Sequence, residues 1–244
     1  MDGFAERIVY TFMIQNPDNA ILAALPLRER DAAHRASTLF ILDLGETLQR
    51  AHARSRHAFF PISGAISLVR HLRVGVTVEV AIVGSEGVVG VDIFMGASTQ
   101  LNDAIVQGAG LAWRMPAAYL HERFRHHRAL QAELLRFTDA FITQISQTAA
   151  CNRVHDMEAR LARWLLMMED RVATTQIRVT QQFLAQMLGA RTASVNEAVQ
   201  RLEAAGVIGH RRREISVLDR KGLERLSCEC YEIVRRVYEK ARSN

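Results

Sequence analysis

The segment Val179–Ile208 constrains this chain more than any other. Leu184 and Leu188 give one short helix an apolar stripe, and Val195, Ala198, Val199 and Leu202 give the next helix another. Between them stands Gly189, where the chain turns sharply and a left-handed backbone is easiest without a Cβ. Ala185, one helical turn earlier, lets the two helices come close. Any antiparallel helix pair in a core shares part of this pattern, but the residues that follow narrow it. Gly206 closes the second helix, and Val207–Leu218 reads as two short β segments around a basic turn. Two helices with a tight turn, then a β-hairpin, describe a winged helix-turn-helix, whose second helix fits the major groove of DNA.

The rest of the chain leaves room for another domain. It has 244 residues, 49% of them hydrophobic, enough for two compact cores. Its net charge of +5 favours an acidic partner, and arginine gathers at the wing and again at Arg235 and Arg236. The first residues, Met1–Arg7, carry acidic charge and no long apolar run follows, so neither a signal peptide nor a membrane span is expected. Cys151, Cys228 and Cys230 make no disulfide framework, and a reducing cytoplasm is the simplest compartment. Cys228 and Cys230, two apart on a helix, would point nearly opposite ways and chelate poorly. Buried structural thiols are the expected role, with a redox role left open, and no metal or cofactor is expected.

Upstream, Asp18–Arg35 reads as two short helices broken at Pro26. From Leu39 onward, β-branched residues and glycine breaks recur at strand-and-turn spacing: Phe40–Leu44, Ala58–Val69, Val74–Val83, Ala104–Gln107 and Leu111–Met115. With no helix expected among them, an antiparallel roll or sandwich follows. Pro116 opens a short helix, and a long one runs from Ala129 to about Cys151. Its apolar stripe is Leu130, Leu134, Phe137, Phe141, Ile145 and Ala149. That stripe packs on its own domain or on the same stripe of a second copy. The second reading is preferred, because helix-turn-helix readers generally use two half-sites. A further amphipathic helix, Met157–Arg171, braces the reader through Leu161, Trp164, Leu165 and Met168.

Roll, long helix and winged helix-turn-helix, in that order, resemble the CRP/FNR family of bacterial transcription regulators. Phe60-Pro-Ile-Ser-Gly-Ala-Ile-Ser67 is similar to that family's strand–turn–strand, and Phe183-Leu-Ala-Gln-Met-Leu-Gly-Ala-Arg-Thr-Ala-Ser-Val195 to its helix-turn-helix. The resemblance implies an α+β fold: a cyclic-nucleotide-binding-like jelly roll over 1–128, a dimerisation helix over 129–154 and a DNA-binding domain over 155–244. It implies a homodimer on palindromic promoter DNA, in contact with RNA polymerase. Two departures matter. Val91 falls where nucleotide-binding members carry glutamate, and Asn102 where they carry the arginine that holds the phosphate. Without that charge-assisted partner, tight cAMP binding is not expected. An unidentified small-molecule effector stays open. Iron–sulfur members use an N-terminal cysteine cluster, and here no cysteine precedes Cys151.

The expected base readers are Arg191, Thr192, Ala193, Asn196 and Glu197. Phosphate contacts are expected from Ser194, Arg201, His210, Arg211, Arg212 and Arg213, and from the backbone amides at Thr180 and Gln181. Glu197 can also pair with Arg201, one turn on. Family activators of TGTGA-type half-sites carry arginine, glutamate and arginine where Thr192, Ala193 and Glu197 fall, so a different target is expected. An enzyme is not: the chain has no nucleophile elbow, P-loop or paired acid–base signature. The alternatives are a cupin-like metalloenzyme, against which His52 and His57 form no His-x-His pair, and a protein-interaction module, against which the arginine-rich wing stands.

Overall fold

Asn19 anchors the start of the described chain. Its side chain caps α1 (Ala20–Ala23), accepting from the Ile21 and Leu22 amides, and donates to the Pro61 and Gly87 carbonyls. The computed structural model describes residues 18–243 apart from 74, 98 and 173, so the acidic Met1–Arg7 stretch lies outside the described residues. Pro26, which cannot continue a helix through its missing N–H, starts α2 (Leu27–Arg35) instead.

The roll follows as two antiparallel sheets. One has the order β1 (Thr38–Leu42), β7 (Gly110–Pro116), β3 (His57–Pro61). The other has the order β2 (Thr47–Gln49), β6 (Asp103–Gly108), β4 (Ala65–His71), β5 (Thr77–Val83). Leu42, Phe60, Ile66, Ile82 and Met115 are fully buried in the core they share. Gly64 makes the β3–β4 turn at φ +85°, and a Cβ there would stand 2.5 Å from the Gly108 carbonyl oxygen. The strand–turn–strand expected at Phe60–Ser67 is therefore present for a steric reason. The expectation of no helix within the roll fails: α3 (Val91–Met95) interrupts it, bounded by left-handed Gly90 and Gly96. Five residues are too few to show a helical period in sequence.

After α4 (Ala117–His126), the long helix α5 (Arg128–Val154) lies against the roll. Phe137 packs beside Gly87, where a Cβ would come within 2.1 Å of its ring. Gln144 pairs with both backbone groups of Ile82, at 3.3 and 3.1 Å, and donates to the Tyr238 hydroxyl at 2.8 Å. This placement bears on the expected seam. Leu130, Leu134, Phe137 and Phe141 are buried within their own chain. Ile145 is half-buried and Ala149 exposed. The roll offers apolar surface where the helix crosses it, and periodicity alone cannot say which partner covers a stripe. Leu135 and Ile142, 46% and 56% exposed, face away from that core.

The next helix, α6 (Met157–Val172), is the hub between the two halves. Leu161, Leu165, Leu166 and Met168 are fully buried, and Trp164 is a core anchor whose indole donates to Glu79 at 3.1 Å. Ser67 donates to the other Glu79 oxygen. Burial pushes the Glu79 carboxyl up to about 7, against the opposing pull of Ser67, Arg163, Trp164 and Arg171. The folded state therefore keeps a proton that the unfolded chain loses above its ordinary value. Stability from this group is full below that ordinary value and falls as pH rises through about 7, by roughly 3 kcal/mol in all. We expect Glu79→Gln to remove this decline, read by urea denaturation at pH values from about 4.5 to 7; an unchanged slope would contradict the assignment.

Past α6 come β8 (Gln176–Arg178), the helix pair, the hairpin β9 (Ile208–Arg211) and β10 (Glu214–Val217), and α9 (Arg220–Leu226). The last helix, α10 (Glu229–Ser243), returns to pack along α5. Among the described residues no helix is long and apolar enough to cross a membrane.

Candidate nucleic-acid interface

Thr180 starts the reader. Its hydroxyl accepts from the Phe183 amide at 3.1 Å and so caps α7 (Gln181–Met187). Leu184, Ala185 and Met187 turn inward, and Gly189, at φ +57°, reverses the chain. Then α8 (Thr192–Ala204) runs across α6, burying Val195, Ala198, Val199 and Leu202. These are the stripes the sequence proposes. Their burial fixes which side of α8 remains outward.

That outward side carries most of the expected base readers. Arg191, Thr192, Ala193 and Glu197 are exposed, while Ser194 and Asn196 are partly covered. Arg201 is exposed and lies 4.0 Å from both Glu197 and Glu158, so the expected pair within the helix is present but long. Such a loose surface pair is worth little and leaves the guanidinium free to turn elsewhere. At the other end, Gly206, at φ +72°, closes the helix as read from sequence.

The wing sits beside this face. Glu214 pairs with Arg211 across the hairpin, leaving Arg212 and Arg213 as its turn. Arg211, Arg212 and Arg213 are all exposed, and His210 is partly covered, its amide directed at Glu203. Arg213 is held at φ +62°, a left-handed conformation rare for a side chain with a Cβ. The wing is also larger than expected. β8, three residues long, pairs with β10 and turns the hairpin into a three-stranded sheet.

Thr180 is exposed and Gln181 partly covered. Thr180 lines a cleft of about 340 Å³ between reader and roll, shared with Leu44, Gln107, Phe183 and Arg213. Its hydroxyl is already used as a cap, and this end of α7 faces the roll. The turn itself also touches the roll, since a Cβ on Gly189 would stand 3.1 Å from Val78.

Residues 159–226, from within α6 to the end of α9, match the family described as the Crp-like helix-turn-helix domain. The reader is similar to the Crp-like helix-turn-helix domain. The fold of the whole chain resembles that of solved CRP/FNR transcription regulators. FixK2 from Bradyrhizobium japonicum superposes with a TM-score of 0.66 at 17% identity, over 79% of this chain and 98% of that one. A CRP-family transcriptional regulator from Thermus thermophilus gives 0.65 at 19%, over 78% and 96%. A second Thermus thermophilus regulator, of the CRP/FNR family, gives 0.64 at 17%, over 78% and 98%. No curated protein sequence matches the chain.

Sequence reading missed several groups around the Crp-like domain. Glu86 and Arg171 form a buried ion pair joining the roll to α6, at 2.7 Å. Glu79 joins the same two parts through Trp164. The cysteines also depart from expectation. Cys228 precedes α10 as its capping position, its carbonyl accepting from the Tyr231 amide at 3.1 Å. Because it lies outside the helix, Cys228 is free to turn its sulfur to the side that Cys230 faces, and both meet Cys151 and His155. The expectation of opposed, non-chelating thiols assumed that both residues were helical.

Proposed function

We propose that this chain regulates transcription by binding promoter DNA as a homodimer, each copy placing the start of α8 in a major groove. The observation that carries this reading is the exposed cluster Arg191, Thr192, Ala193 and Glu197 beside the arginine turn of the wing. Asn196 suits adenine and Arg191 suits guanine, while Ser194, Arg201 and Arg211–Arg213 meet phosphates. His210 sits close enough to the wing tip to join them. Thr180 and Gln181 contribute backbone amides only once this end of α7 leaves the roll. RNA polymerase is the partner on the promoter, as the fold resemblance implies, and the chain acts in the cytoplasm as a regulator, not an enzyme. The roll, over residues 1–128, is the sensing part; cAMP does not suit it, because Val91 and Asn102 supply neither carboxylate nor guanidinium.

The seam we assign to the outer side of α5. Leu135, Ile142 and Ala149 recur every seven residues and are all exposed, which is the spacing of a parallel coiled coil. We expect Leu135→Glu/Ile142→Glu to yield folded monomers by analytical ultracentrifugation and to abolish binding to palindromic DNA. Enrichment of binding sites from random duplex DNA tests the main reading. A two-fold symmetric site supports it; no enriched sequence, across ionic strengths and with a parent protein shown to be dimeric, would overturn it.

A further inference from the structure

Cys151 lies in the last turn of α5, and His155 is the extended residue that follows it, at φ −94° and ψ 148°. Cys228 and Cys230 arrive from the start of α10. The four donor atoms all lie within 4.8 Å of one another. The Cys151 and Cys228 sulfurs are 3.5 Å apart, as are the Cys230 sulfur and His155 Nδ1. We propose that these four residues bind one zinc ion at the joint between the long helix and the DNA reader.

The spacing suits a single tetrahedral ion. With zinc–sulfur bonds of about 2.3 Å and zinc–nitrogen bonds of about 2.0–2.1 Å, neighbouring ligand atoms stand roughly 3.5–3.8 Å apart. A multi-iron cluster needs a wider cage than these sulfurs leave. Three thiolates and one imidazole also fill all four positions, which is the pattern of a structural zinc site and leaves no place for a reacting water.

The surroundings are those of a metal site too. His155 turns Nδ1 to the sulfurs, and its Nε2 lies 3.2 Å from the Glu229 carboxylate. That arrangement fixes the tautomer and orients the ring, as carboxylates do for zinc-bound histidines. Gln147 donates to the Cys230 sulfur at 3.1 Å, a bond that favours thiolate. Charge is the third argument. Zinc with three thiolates carries a net negative charge. Arg160 and Arg163 lie buried within electrostatic reach of Cys151, and among the described residues neither has a carboxylate within 4.0 Å. An anionic centre compensates those buried cations. Binding releases the thiol protons to solvent and transfers no electrons.

The site would also reach the reader. Arg160 donates to the Leu188 carbonyl, immediately before the Gly189 turn. His155 is the break between α5 and α6, so an ion there holds the angle between them. The metal assignment itself does not depend on DNA recognition.

The test uses full-length protein purified under reducing conditions without chelator. We expect about one zinc per chain by mass spectrometry, released when the thiols are blocked with a mercurial. Cobalt, substituted for zinc, should show the visible absorption of a tetrahedral thiolate site, lost in Cys151→Ser and in Cys228→Ser. Glu229→Gln, at a largely exposed position, should fold normally and hold zinc about 10- to 100-fold more weakly in competition with a chelator. Reduced protein that carries no metal and takes up no cobalt would overturn the proposal. So would iron with acid-labile sulfide, or a Cys151–Cys228 disulfide surviving the reducing purification.

Discussion

Glu86→Ala should destabilise the protein by about 3–5 kcal/mol, the largest single-residue effect expected here. Arg171, near the end of α6, donates from Nε and Nη2 to one Glu86 oxygen, at 2.8 and 2.7 Å. The same oxygen accepts from the Gly84 amide at 3.1 Å. Both side chains are sealed from solvent, and Gly84 makes the approach possible: a Cβ there would sit 2.6 Å from Arg171 Cγ. Removing the carboxylate leaves a buried guanidinium with the Met167 carbonyl, the Tyr238 ring and the more distant charge of Asp170 as company. The cost comes from that stranded charge rather than from the worth of the pair. The double variant Glu86→Ala/Arg171→Met should accordingly recover much of the loss. Urea denaturation followed by circular dichroism measures both, and a loss under about 1 kcal/mol for the single variant would mean that water reaches the guanidinium.

Arg211→Ala/Arg212→Ala/Arg213→Ala should cripple DNA binding without sequence preference. Each phosphate contact contributes about 0.9 to the slope of log K against log salt, so six arginines in a dimer account for a slope of roughly 5. The gap between parent and variant should therefore shrink about 10³-fold between 50 and 200 mM salt. Asn196→Ala should behave otherwise. It should leave the slope unchanged and relax preference at one base pair by about 1–3 kcal/mol. Fluorescence anisotropy over a salt series separates the two. Parallel behaviour of both variants would refute the division between base readers and phosphate contacts.

These two predictions differ in how far the sequence reveals them. The reader is legible because its information is local. Gly189, Gly206 and the stripes of α7 and α8 lie within one short segment, and each names its own conformation. The wing's third strand is not, since Gln176–Arg178 is too short to declare a period. The stripe on α5 shows the opposite difficulty. Its periodicity is plain, yet Leu130, Leu134, Phe137 and Phe141 are buried within their own chain, because a helical pattern reports burial and not the partner. Glu79 and Trp164 are 85 positions apart, as are Glu86 and Arg171, and Cys151 and Cys228 are separated by 77. Nothing in the chain's local chemistry pairs them; only the return of α6 and α10 to the roll and long helix does.

Arg213 has a bearing on how this protein divides robustness from recognition. A left-handed backbone at a residue with a Cβ costs about 1–2 kcal/mol, and glycine would relieve it. The hairpin tolerates that local penalty at an exposed arginine that also lines the cleft against the roll. On the function proposed above, the charge that this turn offers to DNA is what offsets the cost.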